Sequence, residues 1–296
     1  MPLLPLIAAV SASFGWASGS VLAQAPARAL GAFEFTRIQL IACAALIAAA
    51  VSALELWHSV TWNHWPAFLA SSALGILLGN LAMIECLRRG GPRRTELILS
   101  LKAPLVAAMA FVWLHEAPSP VDICGAMVTL AGIGLAVAYG SNAASDSDTR
   151  SGSMALILLL GVTATALQGF GFLVLKPAMQ AGTHPLAATA IRLLGAALLI
   201  SLIALWPARP FRNPGTQSPQ LLGRTLLPGV IGYCIASPLL LFAMANMEAG
   251  IAAVLGALSP VLVLPILWIK EGLAPRPLAI LGATFAVVGS GLILAG

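Results

Sequence analysis

Ten apolar runs, each close to the ~20 residues that span a bilayer as a helix, follow one another with short polar breaks. They fall at 3–25, 32–54, 66–88, 95–114, 119–140, 153–176, 185–206, 222–245, 249–269 and 275–295. In hydrocarbon a backbone must satisfy its own hydrogen bonds, so each run is expected to be a helix. Composition agrees. Hydrophobic residues make up 59% of the chain and charged residues 8%, against roughly a quarter charged in a soluble domain. The expected fold is an all-α polytopic membrane protein with ten transmembrane helices, set in the cell's inner (plasma) membrane. Basic residues sit singly or in one short cluster between apolar runs, which marks membrane orientation and not nucleic-acid binding. Cys43, Cys86, Cys124 and Cys234 lie inside apolar runs with no paired spacing. They read as small buried hydrophobes, not as disulfides or metal ligands. No basic stretch precedes the first run, so it is expected to stay as a helix and not to be cleaved as a signal peptide.

The chain also repeats itself. Pro104, Trp113, Glu116 and Pro120 recur as Pro260, Trp268, Glu271 and Pro275, at an offset within a residue of about 156. Gly132-Ile133-Gly134-Leu135 is echoed by Gly289-Ser290-Gly291-Leu292. Phe14-Gly15-Trp16 matches Phe170-Gly171-Phe172, and Thr36-Arg37-Ile38 matches Ile191-Arg192-Leu193. Apolar sequences match by chance, but rarely at Arg, Glu, Pro and Trp with one offset, so the pattern indicates an internal duplication. Residues 1–140 form a first five-helix unit and 153–296 a second. The small, polar segment 141–152 reads as the linker between them.

Five spans per unit is an odd number, so the second unit must enter the membrane upside down. The loops after spans 1, 3, 5, 7 and 9 hold Arg28, the cluster Arg88, Arg89, Arg93 and Arg94, then Arg150, Arg209, Arg212, Arg224, Lys270 and Arg276. The loops after the even spans hold only Lys176. Relative to each unit's own start the basic loops invert, as an inverted repeat requires. The same bias puts basic loops in the cytoplasm and both termini outside it.

Ten short-looped spans, a five-plus-five repeat and a Pro…Glu-x-x-x-Pro…Gly-x-Gly pattern closing each half resemble the drug/metabolite transporter superfamily, EamA type. The likeness covers almost the whole chain and is most specific from Pro104 to Gly134 and from Pro260 to Gly291. His115 and Lys270 stand where that family often has a small residue before the elbow Glu. The resemblance implies a ten-helix bundle of two pseudo-symmetric halves around a central cavity. It also implies export or exchange of small metabolites, amino acids among them.

A transporter pocket is expected at the midplane of the repeat interface. Trp16 is mid-span in the first helix, with Ser13 and Ser20 on its face, and its repeat mate Phe172 shares a face with Thr165 and Gln168. They line the substrate path or are ordinary bundle packing. Trp57, Trp62, Trp65 and Trp206 fit the interfacial belt. Asn80 is mid-span in the third helix, and Tyr233 and Ser237 share a face of its repeat mate. Each is a ligand or interhelical glue, since an unpaired polar group in hydrocarbon costs a few kcal/mol. Gly15 and Gly19, and likewise Gly75 and Gly79, form Gly-x-x-x-Gly faces suited to close packing.

Lys102 lies near the middle of the fourth span, where a charge costs about 2.5–3.5 kcal/mol on insertion scales. Its expected partner is Glu85, across the Gly90-Gly91-Pro92 turn. Contact with a substrate carboxylate and snorkelling to the interface are the other readings. Arg37 and Arg192 are repeat mates just inside their helices and read as interfacial anchors, with Glu34 positioned to pair with Arg37. Glu116 and Glu271 sit at elbows, where each can cap the next helix start. Pro104, Pro260 and Pro265 remove backbone hydrogen bonds and make the fourth and ninth helices the expected moving elements.

An intramembrane enzyme would need a nucleophile with its base, paired acids or a metal set at depth. His58, His64, His115 and His184 fall at span ends or in loops, and no two acids share a membrane face. No phosphate-binding Gly-rich loop of an ATP-driven pump is present. No cofactor or metal is called for. The partners expected are a small molecule and the bilayer, with the chain acting as a monomer. Few charges in the presumed pocket point to a neutral or zwitterionic solute. The function indicated is export of neutral or zwitterionic amino acids or related compounds. Uptake or exchange of another metabolite class and multidrug export are the alternatives.

Overall fold

The computed structural model describes residues 3–99, 101–116, 118–139, 153–205, 218–271 and 276–295, and no strand occurs among them. The first helix, α1 (Leu3–Ala53), is two helices joined at Gly31, where φ is 77° and ψ 165°. Unbroken, it would run about 77 Å against a hydrocarbon core of about 30 Å. Glycine takes that backbone angle without the strain a Cβ would bring. Short turns lead to α2 (Trp65–Ala70), a π-helical segment (Ser71–Leu78) and α3 (Gly79–Leu99). Gly91 breaks α3 as Gly31 breaks α1, with φ 75° and ψ 168°. Then come α4 (Lys102–Leu114) and α5 (Pro120–Tyr139).

The second half runs through α6 (Met154–Leu173), the short α7 (Lys176–Gln180) and α8 (Pro185–Ala204). It continues with α9 (Pro219–Gly229), a second π-helical segment (Val230–Ala236) and α10 (Ser237–Asn246). It closes with α11 (Ala249–Gly256), α12 (Ser259–Glu271) and α13 (Pro277–Ala295). Proline opens α5, α8, α9 and α13, at the one helical position where its missing N–H costs nothing. Ser119 and Asp122 form a reciprocal cap on α5: Asp122 Oδ2 accepts from Ser119 N–H at 3.1 Å, and Ser119 Oγ accepts from Asp122 N–H at 3.2 Å.

Among the described residues six stretches are long and apolar enough to cross a membrane: Leu3–Ala53, Trp62–Gly91, Met154–Gln180, Pro185–Ala204, Pro219–Asn246 and Ala249–Ile266. The protein is therefore an all-α, multi-pass membrane protein. Its outer surface fits lipid and not water: Val112, Leu205 and Ile269 are 74%, 79% and 87% exposed. All four cysteines are free.

Small residues set the closest packing. A Cβ on Gly75 would lie 2.6 Å from Gly171 Cα, and Gly15 faces Ile231 and Ala236. These pairs are related by the sequence repeat, since residue 15 maps to 171 and residue 231 to 75. The α5–α13 contact obeys the same relation: Gly132 packs on Ala286 and Gly282, and Gly289 packs on Thr129 and Gly125. Both π-helical segments sit at repeat-related positions too. Such widenings are common at functional sites.

The prolines act differently from the expectation. The fourth and ninth spans are broken at Leu101 and at Ala257–Leu258, just before Pro104 and Pro260. Leu101, Ala257 and Leu258 donate i−3 bonds to Ile98, Val254 and Leu255. Pro104 and Pro260 then stand in the first turn of α4 and α12, where an N–H has no intrahelical acceptor to lose. The bends lie upstream of the prolines, and only Pro265 stands inside its helix.

Candidate functional site

The breaks and π-helical segments surround an internal cavity of about 130 Å³, several times what one water needs. Trp16 and Phe172 form its aromatic wall, edge to face with ring centroids 5.9 Å apart. Each ring has a cation over it. Lys102 Nζ lies 5.4 Å from the Trp16 centroid, and the Arg192 guanidinium carbon lies 4.3 Å from that of Phe172. Both arrangements are cation–π contacts.

Hydrogen bonds order the remaining polar groups. Lys102 Nζ donates to Gln168 Oε1 at 3.0 Å, and Gln168 Nε2 donates to Asn80 Oδ1 at 2.9 Å. Arg192 Nη1 donates to Ser237 Oγ at 3.5 Å. Tyr233, in the second π-helical segment, also lines the cavity. Thus Trp16, Asn80, Lys102, Gln168, Phe172, Tyr233 and Ser237 converge from six different helical segments on one space. Ser13 does not: it is buried against α11, donating to Leu255 O at 2.6 Å just before the α11 break.

Three charged residues depart from the sequence reading. Glu85 does not pair with Lys102. Its carboxylate accepts from Arg88 at 2.8 and 3.0 Å and from Arg89 at 2.5 Å, because the next turn of its own helix brings those guanidinia closer. Arg192 is not an interfacial anchor but is wholly buried beside the cavity. Its repeat mate Arg37 does pair with Glu34, through Nε and Nη2 at 2.8 and 2.7 Å. Glu116 caps a helix of the other half: its Oε2 accepts from Ala249 N–H, the start of α11, at 2.7 Å. The side chain of Glu271 and residue Trp206 lie outside the described residues. Pro104 lines a second cavity, of about 240 Å³, between α4, α5 and α11. Pro260 lines neither.

The central cavity extends from the α11–α12 break toward Ala23, Phe35, Leu87 and Thr95, that is, toward the turns at Gly31 and Gly91. The opposite end is tied shut across the two halves. Lys176, 4% exposed, is ion-paired with Glu116 and donates to Met247 O at 2.8 Å. Thr61 and Thr183 share a hydrogen bond of 2.6 Å, and Thr61 also donates to Ala178 O at 3.2 Å. Nearby, burial and the charges of Asp122 and Glu116 hold the Glu248 carboxyl above the usual carboxylate range.

Comparison with known proteins agrees with this architecture. A family model described as the EamA-like transporter family matches residues 3–138 and 155–295. A solved protein crystal structure, 17% identical, superposes with a TM-score of 0.76 over 98% of this chain and 97% of its own. That likeness carries the fold alone. The chain matches none of the curated proteins with which it was compared.

Proposed function

Because this chain belongs to the EamA-like transporter family, we propose that it carries small solutes across the membrane through the central cavity by alternating access. One observation carries the proposal. An aromatic-walled space lies between the two halves, with polar side chains from separate helices turned into it. One end is latched by contacts between the halves. The architecture proposed is ten membrane-spanning helices in two inverted repeats, residues 1–140 and 153–296, joined by 141–152. Support comes from the repeat-related packing of Gly15, Gly75 and Gly171 and of Gly132 and Gly289.

The arginine-bearing turns near Gly31 and Gly91 are proposed to face the cytoplasm of a plasma membrane, with both termini on the other side and the chain a monomer. The solute proposed is a neutral or zwitterionic amino acid or a related metabolite, moved outward. Trp16 and Phe172 suit an apolar side chain, and the cavity's size suits a small molecule.

Reconstituted vesicles test this directly. Efflux of a panel of labelled amino acids should saturate for at least one member. Trp16→Ala should raise its half-saturation concentration at least about tenfold, since a buried aromatic contributes on the order of 1.5–3 kcal/mol. Efflux indistinguishable from protein-free vesicles for every solute would remove the proposal.

A further inference from the structure

We infer that Arg192 is the anion-binding group of the central cavity and that the transported solute bears a carboxylate held side-on by its Nε–Nη2 edge. This rests on the transporter reading above and narrows its substrate class.

The molecule supplies its own comparison. Two other arginines in the helices each hold a carboxylate through Nε and Nη2. Arg37 grips Glu34 at 2.8 and 2.7 Å, and Arg88 grips Glu85 at 2.8 and 3.0 Å. That fork is the strongest pairing a guanidinium makes. Arg192 is the repeat mate of Arg37, but the position that mirrors Glu34 is Thr189. The Thr189 hydroxyl is spent on Pro185 O at 2.8 Å. The second half has kept the cation and lost its acid.

What remains around Arg192 does not replace that acid. Among the described residues its only hydrogen-bond partner is Ser237, at 3.5 Å, the outer limit of such a bond. Phe172 covers one face of the guanidinium. Nε is buried and has no hydrogen-bond partner among the described residues. Among the described residues lining the cavity there is no Asp or Glu. A wholly buried guanidinium with an unpartnered Nε is costly to maintain, and a carboxylate entering the cavity supplies what Glu34 supplies to Arg37. The Trp16–Phe172 wall then contacts the rest of the solute.

The test uses three probes of one carbon skeleton: L-leucine, 4-methylvalerate and 3-methylbutylamine. Binding to the purified full-length protein is read from ligand-dependent thermal stabilisation, and efflux from reconstituted vesicles. Leucine and 4-methylvalerate should bind, and the amine should not. Arg192→Gln should weaken carboxylate binding at least about tenfold, as expected for loss of a charge-assisted fork. Thr189→Glu should restore the internal pair, raise the melting temperature of the ligand-free protein and abolish carboxylate binding. A purely structural Arg192 would not give that last combination.

Equal binding of the amine, or carboxylate binding unchanged in both variants, overturns the assignment. If those results came with saturable efflux, the transporter reading would stand without it. If no probe bound, the assignment would fall, and if no solute of the amino-acid panel moved saturably either, the transporter reading would fall with it. Because Thr189→Glu adds a pair and removes none, the test does not depend on Arg192→Gln folding.

Discussion

Lys176→Met should destabilise the protein by about 3 kcal/mol, the lower end of the range for removing one partner of a buried ion pair. The lower end applies because Glu116 keeps 17% side-chain exposure while Lys176 has 4%. Lys176 ties together three segments that the chain separates widely. It meets the Glu116 carboxylate after α4 and the Met247 carbonyl after α10, and the same carboxylate caps Ala249 at the start of α11. Without the ammonium, the Glu116 side chain retains only that cap among the described residues. The double variant Lys176→Met/Glu116→Gln should cost less than the two single changes added, because the stranded group goes with its partner. Thermal unfolding of the four proteins in one detergent gives the coupling. There is a functional consequence as well. Lys176 is the repeat mate of Ser20, so the position that mirrors it carries no ammonium. A latch worth about 3 kcal/mol biases a two-state equilibrium more than a hundredfold. Its loss should shift the protein toward conformations open at that end.

Gly132→Leu should abolish folded protein. The α5–α13 interface is a backbone-to-backbone contact. A Cβ on Gly132 would press on Ala286 N and lie 2.6 Å from Gly282 O, and one on Gly289 would lie 2.5 Å from Thr129 N. Neither helix can yield by turning a side chain, because the atoms met are main chain. Even Gly132→Ala must push two helices apart, at the upper part of the roughly 1–3 kcal/mol seen for overpacking or beyond it. Gly134, two residues on, is the control. A Cβ there meets nothing within 4 Å, so Gly134→Ala should be neutral or stabilising by up to about 1 kcal/mol, the ordinary helix preference for alanine. Yield and monodispersity on size exclusion, followed by melting temperature, separate the three variants.

These effects show what a sequence can and cannot reveal. Helices were legible because hydrocarbon forces the backbone to close its own bonds, leaving bilayer-length apolar runs as the trace. The pairing of Glu34 with Arg37 was legible because three residues on a helix is a fixed distance. Trp16 and Phe172 were legible as candidates for one cavity, because the repeat gives matched residues matched depths, whereas the edge-to-face contact of their rings was not. Glu85 was misassigned because a partner one turn away on the same helix outcompetes one across a turn. Arg192 was misread because its depth depends on where α8 begins. That start is set by α7 and the Gly182 turn (φ 107°), and neither is visible as an apolar run. A signal was present nonetheless: aligning the halves puts Thr189 opposite Glu34. The π-helical segments had no signal, since widening a helix needs no special residue. They nevertheless bring Gly75 against Gly171 and turn Tyr233 into the cavity.

The central claim is that one cavity is reached in turn from both sides of the membrane. The most direct measurement places a single cysteine in it, Ser20→Cys, with Cys43, Cys86, Cys124 and Cys234 replaced. A membrane-impermeant maleimide is then applied to sealed vesicles from one face or the other. Labelling should proceed from either face, faster from the face of the Gly31 and Gly91 turns, and Lys176→Met should speed it from the opposite face. Labelling from one face only, in both the parent and the Lys176→Met protein, would contradict alternating access through this cavity.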